Sequence, residues 1–175
     1  YNEQYNTSYL TLMPCNLYGP NDNFDTKKSH FVPALIKKFN NAKMSKNKTV
    51  EIWGSGKPKR EIMHVKDLAS AIFFILNKKI SNNKKFDKFL KKNYLINVGS
   101  GQEFTIKQFG EIIAKLTLGK FILRFNKNYP DGTKRKILDN TLLKKLGWKP
   151  KISIYKGLSE TIEWYVKSLS NKKIK

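Results

Sequence analysis

Cysteine occurs once in these 175 residues and histidine twice, and only 13 acidic side chains stand against 35 Lys and Arg. A lone cysteine, Cys15, excludes an intrachain disulfide and fits a reducing compartment. Cys15, His30 and His64 do not recur at the spacing of a zinc site, so no metal is expected. The longest apolar run lies within Leu68–Leu76, far short of the roughly 20 residues of a membrane span. No signal-peptide pattern is present, and a cytoplasmic protein is expected. The chain opens on Tyr1 rather than Met, and its own N-terminus is expected upstream. Internal repeats and long linkers are absent.

Positive charge is what the chain has in excess, a net +22. Such a balance suits a polyanion partner, or simply Lys and Asn filling solvent-facing positions. The lysines occur in short scattered groups mixed with Asn, as at Lys46–Lys48, Asn82–Lys85 and Lys91–Asn93. A single-strand binder would instead interleave arginines with aromatics. Solvated surface loops are therefore the reading, with neither nucleic acid nor membrane as partner. Apolar residues at 39% and aromatics at 13% give one ordinary domain's worth of core.

Strand-like runs at Tyr9–Met13, Thr49–Trp53, Tyr94–Val98 and Phe121–Phe125 alternate with helical patterns. Helices are expected at His30–Asn40 with Ser29 as cap, at Val65–Leu76 buried on most sides, and from Thr105 to Leu116. Short and long ones follow over Asn140–Leu146 and from Ser153 to about Leu169, with a helix tail at Tyr1–Tyr5. The alternation argues for an α/β chain.

Three stretches carry candidate chemistry. Pro14-Cys15-Asn16-Leu17-Tyr18-Gly19-Pro20 leaves a strand through a stiff corner, and the loop runs on to His30 at a helix start. Cys15, directly after a strand, reads as a small packed residue rather than a nucleophile, and His64 as a packing residue. An imidazole such as His30 titrates near neutrality and can move a proton, although a histidine at a helix start is often ordinary. Trp53-Gly54-Ser55-Gly56-Lys57-Pro58-Lys59-Arg60 offers an indole to stack on a flat group and a guanidinium for a phosphate. It is no Rossmann fingerprint, because Lys59 fills the third glycine position, and alone it reads as a turn before a helix. Pro130-Asp131-Gly132-Thr133-Lys134-Arg135-Lys136 is a turn with a carboxylate followed by three cations, in isolation an ordinary basic surface turn.

Together, MPCNLYGPNDNF, SHFVPALI, WGSGKPKREIMHVKDLA, INVGSG, PDGTKRKILD and LGWKPKISIYKGL resemble the C-terminal half of the GDP-L-fucose synthases, members of the extended short-chain dehydrogenase/reductases. The resemblance implies the last elements of an NADP-binding Rossmann domain at 1–20 and 61–99, and a GDP-sugar-binding domain at 21–60 and 100–175. It implies NADPH as cofactor, GDP-4-keto-6-deoxy-D-mannose as substrate and a homodimer. Pro14, Cys15, Asn16 and Leu17 would border the nicotinamide, with His30 touching cofactor and sugar as general acid. Lys38, Trp53, Arg60, Asp131 and Lys136 would hold the GDP-sugar. Tyr129 and Lys134 depart from the lysine and proline common in that family. The family's glycine-rich dinucleotide loop and Tyr-x-x-x-Lys pair do not occur in the chain, and its catalytic serine and epimerising cysteine would lie upstream. A sugar-nucleotide epimerase or dehydratase of the same scaffold, a basic nucleic-acid-binding module and a non-catalytic interaction partner are the rival readings.

Overall fold

In the computed structural model, residues 1–7, 9–25, 28–45, 47–80, 88 and 94–172 are described. The chain runs α1 (Asn2–Tyr5), β1 (Thr11–Pro14), β2 (Asn16–Tyr18), α2 (Phe31–Met44), β3 (Thr49–Trp53), β4 (Lys59–His64) and α3 (Val65–Ile80). It continues through β5 (Leu95–Val98), β6 (Glu103–Thr105), α4 (Ile106–Leu116), β7 (Ile122–Asn126), β8 (Arg135–Lys136), α5 (Thr141–Lys145) and α6 (Ile154–Lys172). The capping box at Thr105 forms as its sequence implies. Gln108 N–H donates to the Thr105 hydroxyl at 3.1 Å, and the Gln108 side-chain oxygen accepts from Thr105 N–H at 2.8 Å.

Ser29 does not cap α2. His30 holds that position without a side-chain cap bond, and Ala34 N–H closes the first turn on the His30 carbonyl at 3.1 Å. Proline dictates the shift: were Ser29 the cap, the residue due to close that turn would be Pro33, which has no N–H. β4 is a second correction, since the reading there is a turn running into a helix. Lys-Arg-Glu is a poor local strand signal. The segment is extended because β2 and β6 are its neighbours in a sheet and β8 pairs with its first residues in parallel, Lys59 opposite Arg135 and Arg60 opposite Lys136.

The chain divides into two compact units, one of Tyr1–Leu17, Glu61–Gly101 and Ile137–Lys151, the other of Tyr18–Arg60, Gln102–Lys136 and Ile152–Lys175. In the first, β1 pairs in parallel with β5, from Thr11 opposite Leu95 to Pro14 opposite Val98. Cys15, Met63, Ala71, Ile75, Ile96, Val98, Leu143 and Trp148 form its core. Leu143 and Trp148 explain why Ile137–Lys151 belongs to this unit, a return the sequence does not announce. The Trp148 indole also donates to Ser70 Oγ at 3.0 Å, and Lys151 N–H to the buried Asp67 at 3.0 Å. Helix α3 is less buried than its composition suggests. Leu68, Ala71 and Ile75 share one face by helical period, whereas Ile72, Phe73 (67% exposed) and Leu76 turn away from it.

In the second unit, β3 pairs in parallel with β7, from Thr49 opposite Ile122 to Trp53 opposite Asn126. Val50 and Ile52 alternate inward, and Gly110 of α4 lets the helix approach, since a Cβ there would stand 2.9 Å from Ile52 Cδ1. Edge-to-face pairs Phe31–Phe109 and Phe39–Phe121 fill the space around α2. Phe24, from the asparagine-rich loop, stacks on Tyr165 of α6 at 4.2 Å. Tyr18, at the loop's start, is fully packed away. Parallel strand pairs alternating with helices give an α/β architecture. Among the described residues no helix is long and apolar enough to cross a membrane, and no group of three or more His, Cys, Asp or Glu is placed to hold a metal.

Candidate functional site

The second unit gathers chemistry at one end of its parallel ladder. β3 ends on Trp53 and β7 on Asn126, and Gly54 N–H donates to the Asn126 carbonyl at 2.9 Å. The Trp53–Gly56 turn and the 127–134 loop therefore leave the sheet side by side. Gly54 has φ +79°, and a Cβ there would run into the Asp131 carboxylate, so any side chain would be strained and would push Asp131 aside.

Ser55 latches the two loops. Its N–H donates to Asp131 Oδ1 at 2.8 Å and its hydroxyl to Oδ2 at 2.6 Å. These bonds, the hydroxyl's first, hold the Asp131 carboxyl below its usual 3.8, with Lys57 and Arg60 adding favourable charge. Each carboxylate oxygen keeps a lone pair for a ligand hydroxyl. Because the folded value is depressed, the latch's contribution is complete above pH 3.8 and is lost as pH falls through the lower folded value. Ser55→Ala is expected to bring the Asp131 titration back toward 3.8, read by carboxyl-carbon NMR.

The Trp53 indole carries Tyr129 in a parallel stack, centroids 4.3 Å apart and planes 13° apart. Lys38, on α2, places its Nζ 4.7 Å from the indole centroid and donates to the Glu51 carbonyl at 3.0 Å. Burial pushes the Lys38 ammonium down from its usual range, opposed by the charge of Glu51.

Arg60 is oriented by backbone. Its guanidinium donates to the carbonyls of Lys59 at 2.8 Å and Thr133 at 2.5 Å, leaving further donors for an anion. Strand period explains its availability. Lys59 and Arg135, opposite each other in the β4–β8 pair, are taken up by Glu103 at 3.2 and 2.7 Å. Arg60 and Lys136, one residue on, point to the other face and stay outside that cluster.

The structure thus brings Lys38, Trp53, Arg60, Asp131 and Lys136 to neighbouring loops and strand ends of one unit. His30 lies in the same unit, exposed at the start of α2. Pro14, Asn16 and Leu17 lie at the C-terminal end of β1 and the start of β2 in the first unit. Cys15 is packed in that unit's core, its N–H on the Val98 carbonyl at 2.9 Å. Ser55 and the stacking position of Tyr129 are what sequence reasoning missed. Both depend on contacts across some 76 residues of chain, as for Ser55 to Asp131, which no local pattern reports.

A family model, the NAD dependent epimerase/dehydratase family, matches residues 1–90. The chain is 40% identical to GDP-L-fucose synthase 1 of Arabidopsis thaliana over 172 residues, 98% of this chain and 50% of that protein. It is 39% identical to GDP-L-fucose synthase of Escherichia coli strain K12 over 168 residues, 96% of this chain and 52% of that one. Among solved structures, the GDP-mannoheptose C4 reductase MlghC from Campylobacter jejuni, with NADP bound, aligns at a TM-score of 0.75 and 30% identity, over 95% of this chain and 55% of that one. The chain spans about half the length of the curated relatives it matches.

Proposed function

Because the chain belongs to the NAD dependent epimerase/dehydratase family, we propose that it is the substrate-binding half of a GDP-L-fucose synthase, which converts GDP-4-keto-6-deoxy-D-mannose to GDP-L-fucose. One observation carries the reading: an aromatic stack, a serine-anchored carboxylate and two cations outside the Glu103 cluster stand on neighbouring loops and strand ends of one unit. A GDP-hexose offers a flat base, hydroxyls and a diphosphate to match them. Arg60 and Lys136 meet the diphosphate, Asp131 takes a hydroxyl, Trp53 and its stack serve a flat face, and Lys38 adds charge beside the indole.

Epimerisation at C3 and C5 needs a proton removed from one face beside the 4-keto group and another returned to the opposite face. His30 is assigned the returning proton, because it is exposed at a helix start just after the asparagine-rich loop. Pro14, Cys15 (through its backbone), Asn16, Leu17 and His30 are the chain's share of the cofactor site. Pro14 ends a strand of a parallel pair, the end at which dinucleotides bind on such sheets. NADPH, when bound, supplies the hydride that reduces C4. In this reading the 175 residues alone are inactive, since the Tyr-x-x-x-Lys pair is not among them. The complete protein is a cytoplasmic homodimer that engages neither nucleic acid nor membrane.

In the natural-length protein, His30→Gln is expected to slow formation of the product inverted at C3 and C5 by roughly 10²–10⁴-fold, the usual worth of a positioned acid or base. Unimpaired epimerisation would remove His30 from the chemistry. A reductase acting on a different GDP-linked 4-keto sugar is the second reading, favoured by the structural likeness to a GDP-mannoheptose C4 reductase. Turnover without C3 and C5 exchange would select it.

A further inference from the structure

Tyr129 has entered so far only as the ring stacked on Trp53, and its placement is specific. One face of its ring lies on Trp53 at 4.3 Å and 13°. The residue remains 42% exposed. The loop that carries it is fixed on both sides. Tyr129 N–H donates to the Asn126 carbonyl at 3.4 Å, while Asp131, two residues on, is held by both donors of Ser55. Beyond that, the Thr133 carbonyl accepts from Arg60. A ring backed by another ring on a pinned loop loses little freedom when a third planar group arrives.

The indole beneath is poorly placed to receive that group itself. Tyr129 covers one face, and the Lys38 ammonium stands 4.7 Å from the indole centroid. Open aromatic surface is therefore offered by the outer face of Tyr129. Nearby in chain and space lie the carboxylate of Asp131 and the guanidinium of Arg60, whose NH2 is 3.1 Å from where a Cβ on Gly132 would be. An aromatic plane beside a carboxylate and a guanidinium suits a nucleoside diphosphate.

We propose that Tyr129 is a nucleotide-recognition residue: its outer face stacks on the guanine of the GDP-linked substrate, making Trp53, Tyr129 and base a three-layer stack. The proposal rests on the GDP-sugar reading and adds to it which side chain meets the base.

Isothermal titration of GDP and of GDP-mannose into the natural-length protein tests it. Tyr129→Ala is expected to weaken both ligands by the same factor, between about fivefold and a hundredfold, the range of one aromatic–base stack. Tyr129→Phe, which keeps the ring, is expected to stay within about twofold of the unaltered protein. Undiminished GDP binding by Tyr129→Ala would overturn the proposal, and so would a loss confined to GDP-mannose, which would place the ring at the sugar. If Arg60→Ala weakens GDP while Tyr129→Ala does not, only this inference fails. If the unaltered protein binds no GDP, the substrate reading fails with it.

Discussion

Replacing Glu61 with Ala is expected to destabilise the first unit by about 3 kcal/mol or more, which for a chain of this size lowers Tm by roughly 6–12 °C. Glu61 is only 2% exposed. One of its carboxyl oxygens accepts from Gly101 N–H at 2.6 Å and from the Asn140 side-chain amide at 3.2 Å, the other from Leu138 N–H at 2.8 Å. Three donors from two distant segments thus end on one side chain. Alanine leaves the buried Asn140 amide without that acceptor, which costs about 1–3 kcal/mol, and removes two further charge-assisted bonds, from the half-buried Leu138 N–H and the more exposed Gly101 N–H. Gly99 provides an independent check. A Cβ there would run into Glu61 Oε1 and stand 2.8 Å from Asn140 Nδ2, so Gly99→Ala is expected to destabilise without deleting any polar group. Thermal unfolding followed by circular dichroism reads both, and unchanged melting of Glu61→Ala would show that the three donors find other partners.

The second large effect concerns binding. Arg60→Ala in the natural-length protein is expected to lower kcat/KM for the GDP-sugar by roughly 100-fold, the worth of two charge-assisted hydrogen bonds at about 1.5 kcal/mol each. The guanidinium is set in place before any ligand arrives, by the carbonyls of Lys59 and Thr133. Arg60→Lys keeps the charge and loses the fork, so it should recover only part of the loss. The burden should fall mainly on KM if the guanidinium holds the diphosphate equally in ground and transition state. Full kcat/KM in Arg60→Ala would take Arg60 out of the site.

Elements with a local physical cause were readable in advance. Thr49–Trp53 is a strand because β-branched and apolar residues alternate there, and α4 starts at Ile106 because Thr105 and Gln108 can cap each other. The start of α2 was misplaced by one residue because Ser29 is the better cap type, while Pro33 decides where the first hydrogen bond can form. β4 has a different reason, its extended form depending on partner strands distant in sequence, β8 some 75 residues later among them. The candidate site divides in the same way. Trp53, Arg60, Asp131 and Lys136 stand out as residue types beside turns. That Ser55 joins their two loops, and that Tyr129 lies flat on Trp53, follows only once β3 and β7 are paired.

That these residues hold a GDP-linked hexose for epimerisation and reduction comes down to one reaction. The natural-length protein is incubated with GDP-4-keto-6-deoxy-D-mannose and NADPH in deuterated water, and the product is read by NMR. GDP-L-fucose is expected, with deuterium at C3 and C5 and one NADPH oxidised for each sugar reduced. Failure to oxidise NADPH with this substrate, or a reduced sugar that keeps its protons at C3 and C5, would contradict it.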